Sequence, residues 1–275
     1  MPLSLLPDRA LLLVSGEEAE ALLNRLFTRS MTGMAVGEAR YSALLTPQGK
    51  LQFDFLVYRR ADGFLLDAPA QDAEALAKKL TMFKLRAKVA IAPRPDLAVA
   101  AAWGEVPAGA PGEAYRDPRH AMLGTRIVAL REALAALPTD EASYEAHRIA
   151  LGVPKGGVDF VYGDTFVHDA NLDLLHGVDF DKGCYVGQEV VSRVHHRNSA
   201  RKRIVKIHFE GPPPEVGAAM TAGPAQIGTL TSLAGADGLA SVRLDRLAEA
   251  EAEHQPVRAG AAPVAVTPPA AHVEG

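Results

Sequence analysis

Phe180-Asp181-Lys182-Gly183-Cys184-Tyr185-Val186-Gly187-Gln188-Glu189-Val190-Val191-Ser192-Arg193 carries the only cysteine of a 275-residue chain. Gly183 and Gly187 flank the thiol, and each can take backbone conformations closed to residues with a side chain. Lys182 stands two residues ahead of it. From Gln188 onward the pattern fits a helix, with Val190 and Val191 turned to a core and Glu189, Ser192 and Arg193 to solvent. The stretch reads as a tight loop offering a thiol and an amine, then a helix start whose free N–H groups favour an anion. A nearby cation and a helix N-terminus would both favour the thiolate. The competing reading is a buried structural cysteine beside a Gly-rich turn, since free cysteine is among the most buried residue types.

Working outward, the apolar fraction of 48% supplies a core for one large domain or for two to three small ones packed together. A net charge of −4 speaks against a non-specific nucleic-acid binder. One cysteine excludes an internal disulfide framework, and it cannot give the four thiolates of an iron–sulfur cluster. The start, Met1 to Arg9, has no basic region before an apolar stretch, and no run approaches the ~20 apolar residues of a membrane span. These features lead to the expectation of a soluble cytoplasmic protein with neither nucleic-acid nor membrane partners.

Along the chain, Ala10 to Val14 reads as a strand, and Ser15 as the N-cap of a helix reaching Phe27. Strands are expected at Tyr41 to Leu45, Leu51 to Tyr58 and Phe64 to Ala68, with Thr46-Pro47-Gln48-Gly49-Lys50 as a turn. A helix over Asp72 to Phe83 and strands at Val89 to Ala92 and Leu97 to Trp103 follow. Ala108 to Gly112 reads as an exposed loop, Ile127 to Leu130 as a strand, and Thr139 or Asp140 as the cap of a helix ending at Gly152. Strands at Ile204 to Phe209, Gln226 to Leu233, Leu239 to Val242 and Val264 to Val266, with a helix over Leu244 to Ala252, predict a small β-barrel and then a loose tail. The pair His195-His196 invites a metal reading. Neighbouring positions on a strand point to opposite faces, however, and no further ligand lies at metal spacing, so no metal is expected. The basic run Arg197, Arg201, Lys202 and Arg203 fits a solvated surface, or a seat for an acidic group.

The octapeptide Lys182-Gly183-Cys184-Tyr185-Val186-Gly187-Gln188-Glu189 resembles the signature of the YgfZ-type folate-binding proteins. That family is related to the T-protein, the aminomethyltransferase of the glycine cleavage system. Tyr41 to Lys50, Asp117-Pro118-Arg119, Leu123-Gly124, Arg126 and Arg148 to Pro154 are similar to it as well, so the likeness runs from about Leu5 to Leu247. Three departures stand out. T-proteins have two adjacent acids where this chain has Phe53 and Asp54, a pterin-binding glutamate where it has Ala150, and family members usually have a proline where it has Val167.

The resemblance implies an α+β protein with two related α+β units around a central folate channel and a small C-terminal β-barrel. The expected divisions are residues 1–115, 116–200 with the cysteine loop, and 201–275. The function implied is that of a folate-binding accessory protein supporting assembly or repair of iron–sulfur clusters in client enzymes, with tetrahydrofolate as cofactor. Cys184 would be the reactive thiol and Lys182 its electrostatic partner. Asp54, Arg148, Tyr185, Gln188, Glu189 and Arg193 are the candidate cofactor-binding residues, the last three also holding the loop in shape. Two alternatives stay open. One is a tetrahydrofolate-dependent aminomethyltransferase, which the lost acids at Phe53 and Ala150 oppose. The other is a non-catalytic folate- or protein-binding module.

Overall fold

Three antiparallel sheets build the computed structural model, which describes residues 2–106, 109–197 and 200–269. The chain begins with β1 (Leu3–Leu5), β2 (Arg9–Ser15), α1 (Ala19–Leu26), β3 (Ala39–Leu45), β4 (Leu51–Arg60) and β5 (Gly63–Pro69). Next come α2 (Ala70–Lys84), β6 (Ala90–Pro93), β7 (Leu97–Ala102), β8 (Glu113–Arg116), β9 (Thr125–Leu130), the one-turn α3 (Arg131–Leu134) and α4 (Glu141–Ala150). A long irregular segment leads to α5 (Gln188–His196). The last part holds β10 (Lys202–Phe209), β11 (Ala219–Ala222), β12 (Ala225–Ala234), β13 (Asp237–Arg243), α6 (Leu244–Ala252), β14 (Val257–Ala259) and β15 (Ala262–Thr267).

The first sheet runs β3-β4-β5-β2-β6, the second β1-β7-β9-β8, and the third closes as a barrel, β10-β13-β12-β11-β14-β15. Closure leaves the barrel no bare edge. This is the α+β architecture with a C-terminal barrel that the sequence led us to expect. The second sheet takes strands from both sides of residue 115, so the division expected there passes through one sheet.

Strand periodicity sorts the core. On the first sheet, Leu12, Val14, Phe55, Val57 and Leu66 face one way and pack on Leu22, Leu23 and Phe27 of the α1 region and on Leu76 and Leu80 of α2. Their neighbours Leu11, Leu56, Tyr58 and Leu65 face the other way and meet Leu97, Val99, Tyr115 and Val128 of the second sheet. The rings of Tyr58 and Tyr115 stack across that seam with centroids 4.7 Å apart. With helices on one face and a second sheet on the other, β4 and β5 are buried on both faces over most of their length, and the charges inside them, Asp54 and Asp67, are buried with partners.

Some local expectations fail. Ser15 does not cap α1: it ends β2, and Gly16 at φ 116° turns the chain, leaving Glu18 before the helix without a side-chain cap bond. Asp140 does cap α4, accepting from Ser143 N at 3.2 Å. His195 and His196 end α5 and do not lie on a strand. Ala108 of the expected loop and residues 270–275 of the expected tail lie outside the described residues.

The irregular segment before α5 is held by buried apolar anchors, including Val153, Phe160, Val167, Leu172 and Leu175. It also bridges to the barrel. Asn171 Nδ2 donates to Ile204 O at 2.7 Å, and Arg203 donates to His168 O and to both oxygens of Asp173. The His168 ring is buried and neither nitrogen has a hydrogen-bond partner among the described residues. Burial pulls its pKa from 6.5 to about 4. The unfolded chain therefore binds more protons than the folded one between these values, so stability falls as pH drops through that window, by about 3 kcal/mol at most. Urea midpoints measured from pH 7 to 4 should fall less steeply for His168→Phe than for the parent chain. Parallel curves would show that His168 does not set the acid limb.

Candidate functional site

Cys184 is exposed, and the loop that carries it is fixed on both sides. On the N-terminal side, Lys182 Nζ donates to three backbone carbonyls at the C-terminal end of α1 and just beyond. These are Asn24 O at 2.8 Å, Phe27 O at 2.7 Å and Arg29 O at 3.1 Å. Carbonyls at a helix C-terminus lack intrahelical donors and carry the negative end of the helix dipole, so an ammonium is well matched there. The same two segments are joined by Asp179 N to Thr28 O at 3.0 Å and by Thr28 Oγ1 to Gly177 O at 2.6 Å. Burial pulls the Lys182 pKa down to about 8, against the opposing charge of Asp179. The ring of Tyr185 is buried, 5.2 Å from the Lys182 nitrogen. Lys182 was expected to partner the sulfur; its donors go instead to the end of α1.

On the C-terminal side, Gly187 sits at φ 82° directly before α5. A Cβ there would lie 2.6 Å from Thr46 O and 3.0 Å from Gly49 Cα. Gly49, at φ 79°, is equally tight: its Cβ would lie 2.9 Å from Val190 Cβ. The two glycines thus let the β3–β4 turn dock against the start of α5. Gly183 faces open space. Glu189 and Arg193 form an exposed i,i+4 pair on α5, while Gln188 lies at its first position. The ring of Phe180 stacks on His195 at 3.6 Å, closing the segment onto the helix. The outcome is a thiol at the tip of a short bridge between two rigid anchors.

Asp54 lies elsewhere, on β4, and is buried. Tyr41 Oη donates to its Oδ2 at 2.8 Å, and Tyr162 Oη donates to Oδ1. Burial first, and then the Asp54 charge, keep both phenols protonated. Asp54 also faces a cavity of about 380 Å³ lined by Asp8, Arg9, Gln71, Arg119, Lys155 and Gly156. Next to it, Arg148 closes a much smaller void with Arg9, Arg119 and Lys155. The Arg148 guanidinium is held by Glu145, Asp159 and Ser232, so it ties α4 to barrel strand β12. Ala150 is exposed at the end of α4. Of the candidate residues, Lys182, Cys184, Tyr185, Gln188, Glu189 and Arg193 share one loop and helix, while Asp54 and Arg148 belong to the interior cavities.

Residues 10–98 match the GCVT N-terminal domain family, and residues 201–272 match the CAF17 C-terminal beta-barrel domain family. The fold is that of glycine cleavage system aminomethyltransferase T from Bartonella henselae, with a TM-score of 0.76 over 96% of this chain and 84% of that one, at 17% identity. Mitochondrial iron-sulfur cluster assembly factor IBA57 of Mus musculus is 34% identical over 85% of this chain and 72% of its own length. The Homo sapiens protein of the same name is 33% identical over 77% of this chain and 67% of its own. The chain belongs to the IBA57 family. A Neurospora crassa homolog, 31% identical, is longer, and the chain spans 58% of it. These relatives bear out the T-protein-like resemblance but point to IBA57, where the octapeptide suggests a YgfZ-type protein. They also overturn the expectation of a cytoplasmic protein, since all three are named as mitochondrial.

Several residues around these sites were not singled out from sequence. Tyr162 gave no signal, because nothing local ties it to Asp54. The carbonyls that seat Lys182 belong to backbone and are invisible to side-chain patterns. Asp67 did carry one: it is a charge inside an otherwise apolar strand, a position tolerated only with partners.

Two substitutions test the anchors. Lys182→Met keeps the stem and removes the donors, and is expected to cost about 2 kcal/mol and to speed amide exchange over residues 179–186. Gly187→Ala is strained as well as crowded and should cost more than about 1 kcal/mol, while Gly183→Ala should change stability by less than about 0.5 kcal/mol. Equal effects at the two glycines in chemical denaturation would contradict the docking of the β3–β4 turn.

Proposed function

We propose that this chain supports iron–sulfur cluster assembly by presenting the Cys184 thiol to partner proteins, and that it carries a reduced folate in the Asp54 cavity. The observation that carries the first part is the exposure of the only cysteine on a loop anchored at both ends. A fixed geometry lowers the ordering cost of docking onto a partner. A single thiolate completes no cluster by itself, so any cluster it touches takes its remaining ligands from the partner. The named role of the IBA57 relatives is in keeping with this reading.

The folate part rests on the T-protein-like fold and on the cavity. Its wall at Gly156 is bare, and a Cβ there would lie 2.6 Å from Asp54 Oδ1 and would collide with the Tyr162 hydroxyl. Asp54 and Asp8 offer carboxylate acceptors to a ring bearing amino and N–H groups, and Gln71 offers an amide. Arg119 and Lys155 carry positive charge at the same cavity for an acidic tail. These residues fit the group, and they would hold it without the pterin-binding glutamate whose place Ala150 takes. A bound folate would supply a carrier for one-carbon units. The chain's own part is to hold the Asp54 carboxylate in place between two tyrosine hydroxyls.

The two halves are tested separately. In cells lacking the endogenous protein, Cys184→Ala should accumulate normally yet fail to restore iron–sulfur enzyme activities. Full restoration would reduce the loop to a structural turn. For folate, calorimetry with tetrahydrofolate should show binding in the micromolar range or weaker, near −8 kcal/mol or less in magnitude, and about tenfold loss in Asp54→Asn. Absence of heat at millimolar folate would remove the cofactor from the account.

A further inference from the structure

Residues 75–95 contain six cations, Lys78, Lys79, Lys84, Arg86, Lys88 and Arg94, and no acid, in a chain whose net charge is −4. Lys78, Lys79 and Lys84 lie on the distal half of α2, Arg86 and Lys88 in the connection to the edge strand β6, and Arg94 just past that strand. Between α2 and β6 the structure opens an apolar groove of about 770 Å³. Leu11, Leu12 and Leu97 form its floor, and Ala73 and Ala77 of α2 its flank. The alanines leave room for side chains that come from outside. The apolar surface runs on from the groove's own Met82, 68% exposed, to Leu85 just beyond it, 84% exposed. Leu85 also stands at φ 48°, a conformation that a γ-branched residue adopts only under strain, so the fold holds a bare leucine outward where a glycine would be easier.

We propose that this groove and the Met82–Leu85 turn dock an acidic amphipathic helix of a partner protein. Apolar side chains on one face of such a helix would fill the groove and cover Met82 and Leu85, and its carboxylates would meet the surrounding lysines and arginines. The edge itself argues against an added strand: β6 is four residues long and ends at Pro93, with Pro95 just beyond. A flat bilayer cannot fill a concave groove. Of these cations, Lys78 has an internal partner in Glu74 (which also lines the groove), Lys88 in Glu17, Arg94 in Asp96 and Lys84 in Val89 O, but exposed ion pairs of this kind are weak and exchange readily with an incoming acid. Methionine at the margin suits such a surface, because its flexible thioether adapts to the shape of what binds. The surface does not include Cys184 and touches the Asp54 cavity only at Ala70, so its test is read at Met82, Leu85 and Ala77, which line neither proposed site.

The test uses the full chain and a fluorescein-labelled peptide of 18 residues, with leucine at helical i, i+3, i+4 and i+7 spacing and glutamate elsewhere. Anisotropy should show saturable micromolar binding that weakens at least about tenfold when salt is raised from about 50 to 500 mM. Hydrogen exchange should show protection centred on residues 70–95. The surface double variant Met82→Glu/Leu85→Glu should lose at least about tenfold in affinity with an unchanged melting temperature. Ala77→Trp, which fills the groove, should do the same. Failure to bind the peptide, equal binding of a version with lysine for glutamate, or insensitivity to the double variant would overturn the proposal. So would uptake of the protein by phosphatidylglycerol-containing vesicles without peptide binding, or self-association through this face in sedimentation.

Discussion

A chain of buried ion pairs fixes how the two open sheets face one another. Arg9 of β2 donates to Asp67 of β5 at 2.6 Å, and Arg126 of β9 reaches the same carboxylate at 3.4 Å. Arg126 also donates to Asp117 at 3.1 Å, and Arg119 grips Asp117 through two nitrogens at 2.9 and 2.7 Å. Tyr115 donates to Asp67, and Arg126 donates to Tyr144 of α4. Burial alone would raise the Asp117 pKa; Arg119 and Arg126 outweigh it and hold the carboxyl below the usual range. Such a network is poor evidence of net stability, because desolvation offsets much of the attraction. What it does supply is position: removing Asp67 or Asp117 strands buried arginine charge, since each carboxylate serves two guanidinium groups.

The same device recurs where the body meets the barrel. Asp159 accepts from Arg148, from Thr231 and from Ser232, and Arg203 on β10 clasps Asp173 on the irregular segment. With the sheets and the barrel fixed, the segment from Gly152 to Gly187 has both ends determined and needs no regular structure of its own. It supplies Gly156 and Tyr162 to the Asp54 cavity and then carries Lys182 to the end of α1. One stretch of backbone therefore serves both candidate sites without bringing them together.

The alternating strands of the first sheet, the helix over Leu244 to Ala252 and the barrel were legible because their periodicity reflects burial directly. The short strands β8, β11 and β14 were not, since each is too brief, and β8 lies too close to Gly- and Pro-rich sequence, to show a period. In the candidate site, Cys184 and its glycines were legible from their isolation in the chain. The seat of Lys182 was not legible for a physical reason: two residues of separation fix where a backbone goes, and a long amine follows its hydrogen-bond acceptors. Asp54 was legible as a charge between two phenylalanines, but its tyrosine partners lie 13 and 108 residues away. Long-range partners of that kind leave no local trace.

The central claim is that the fold presents Cys184 to solvent without any opening of the loop. The most direct measurement is the rate of iodoacetamide alkylation of Cys184 in the native protein across a urea series below the unfolding transition. The account predicts a rate within about tenfold of that of the unfolded chain, and no dependence on urea until the transition begins. Protection by more than about a thousandfold, with a rate that climbs with urea along the global unfolding slope, would contradict it and place the sulfur in the core.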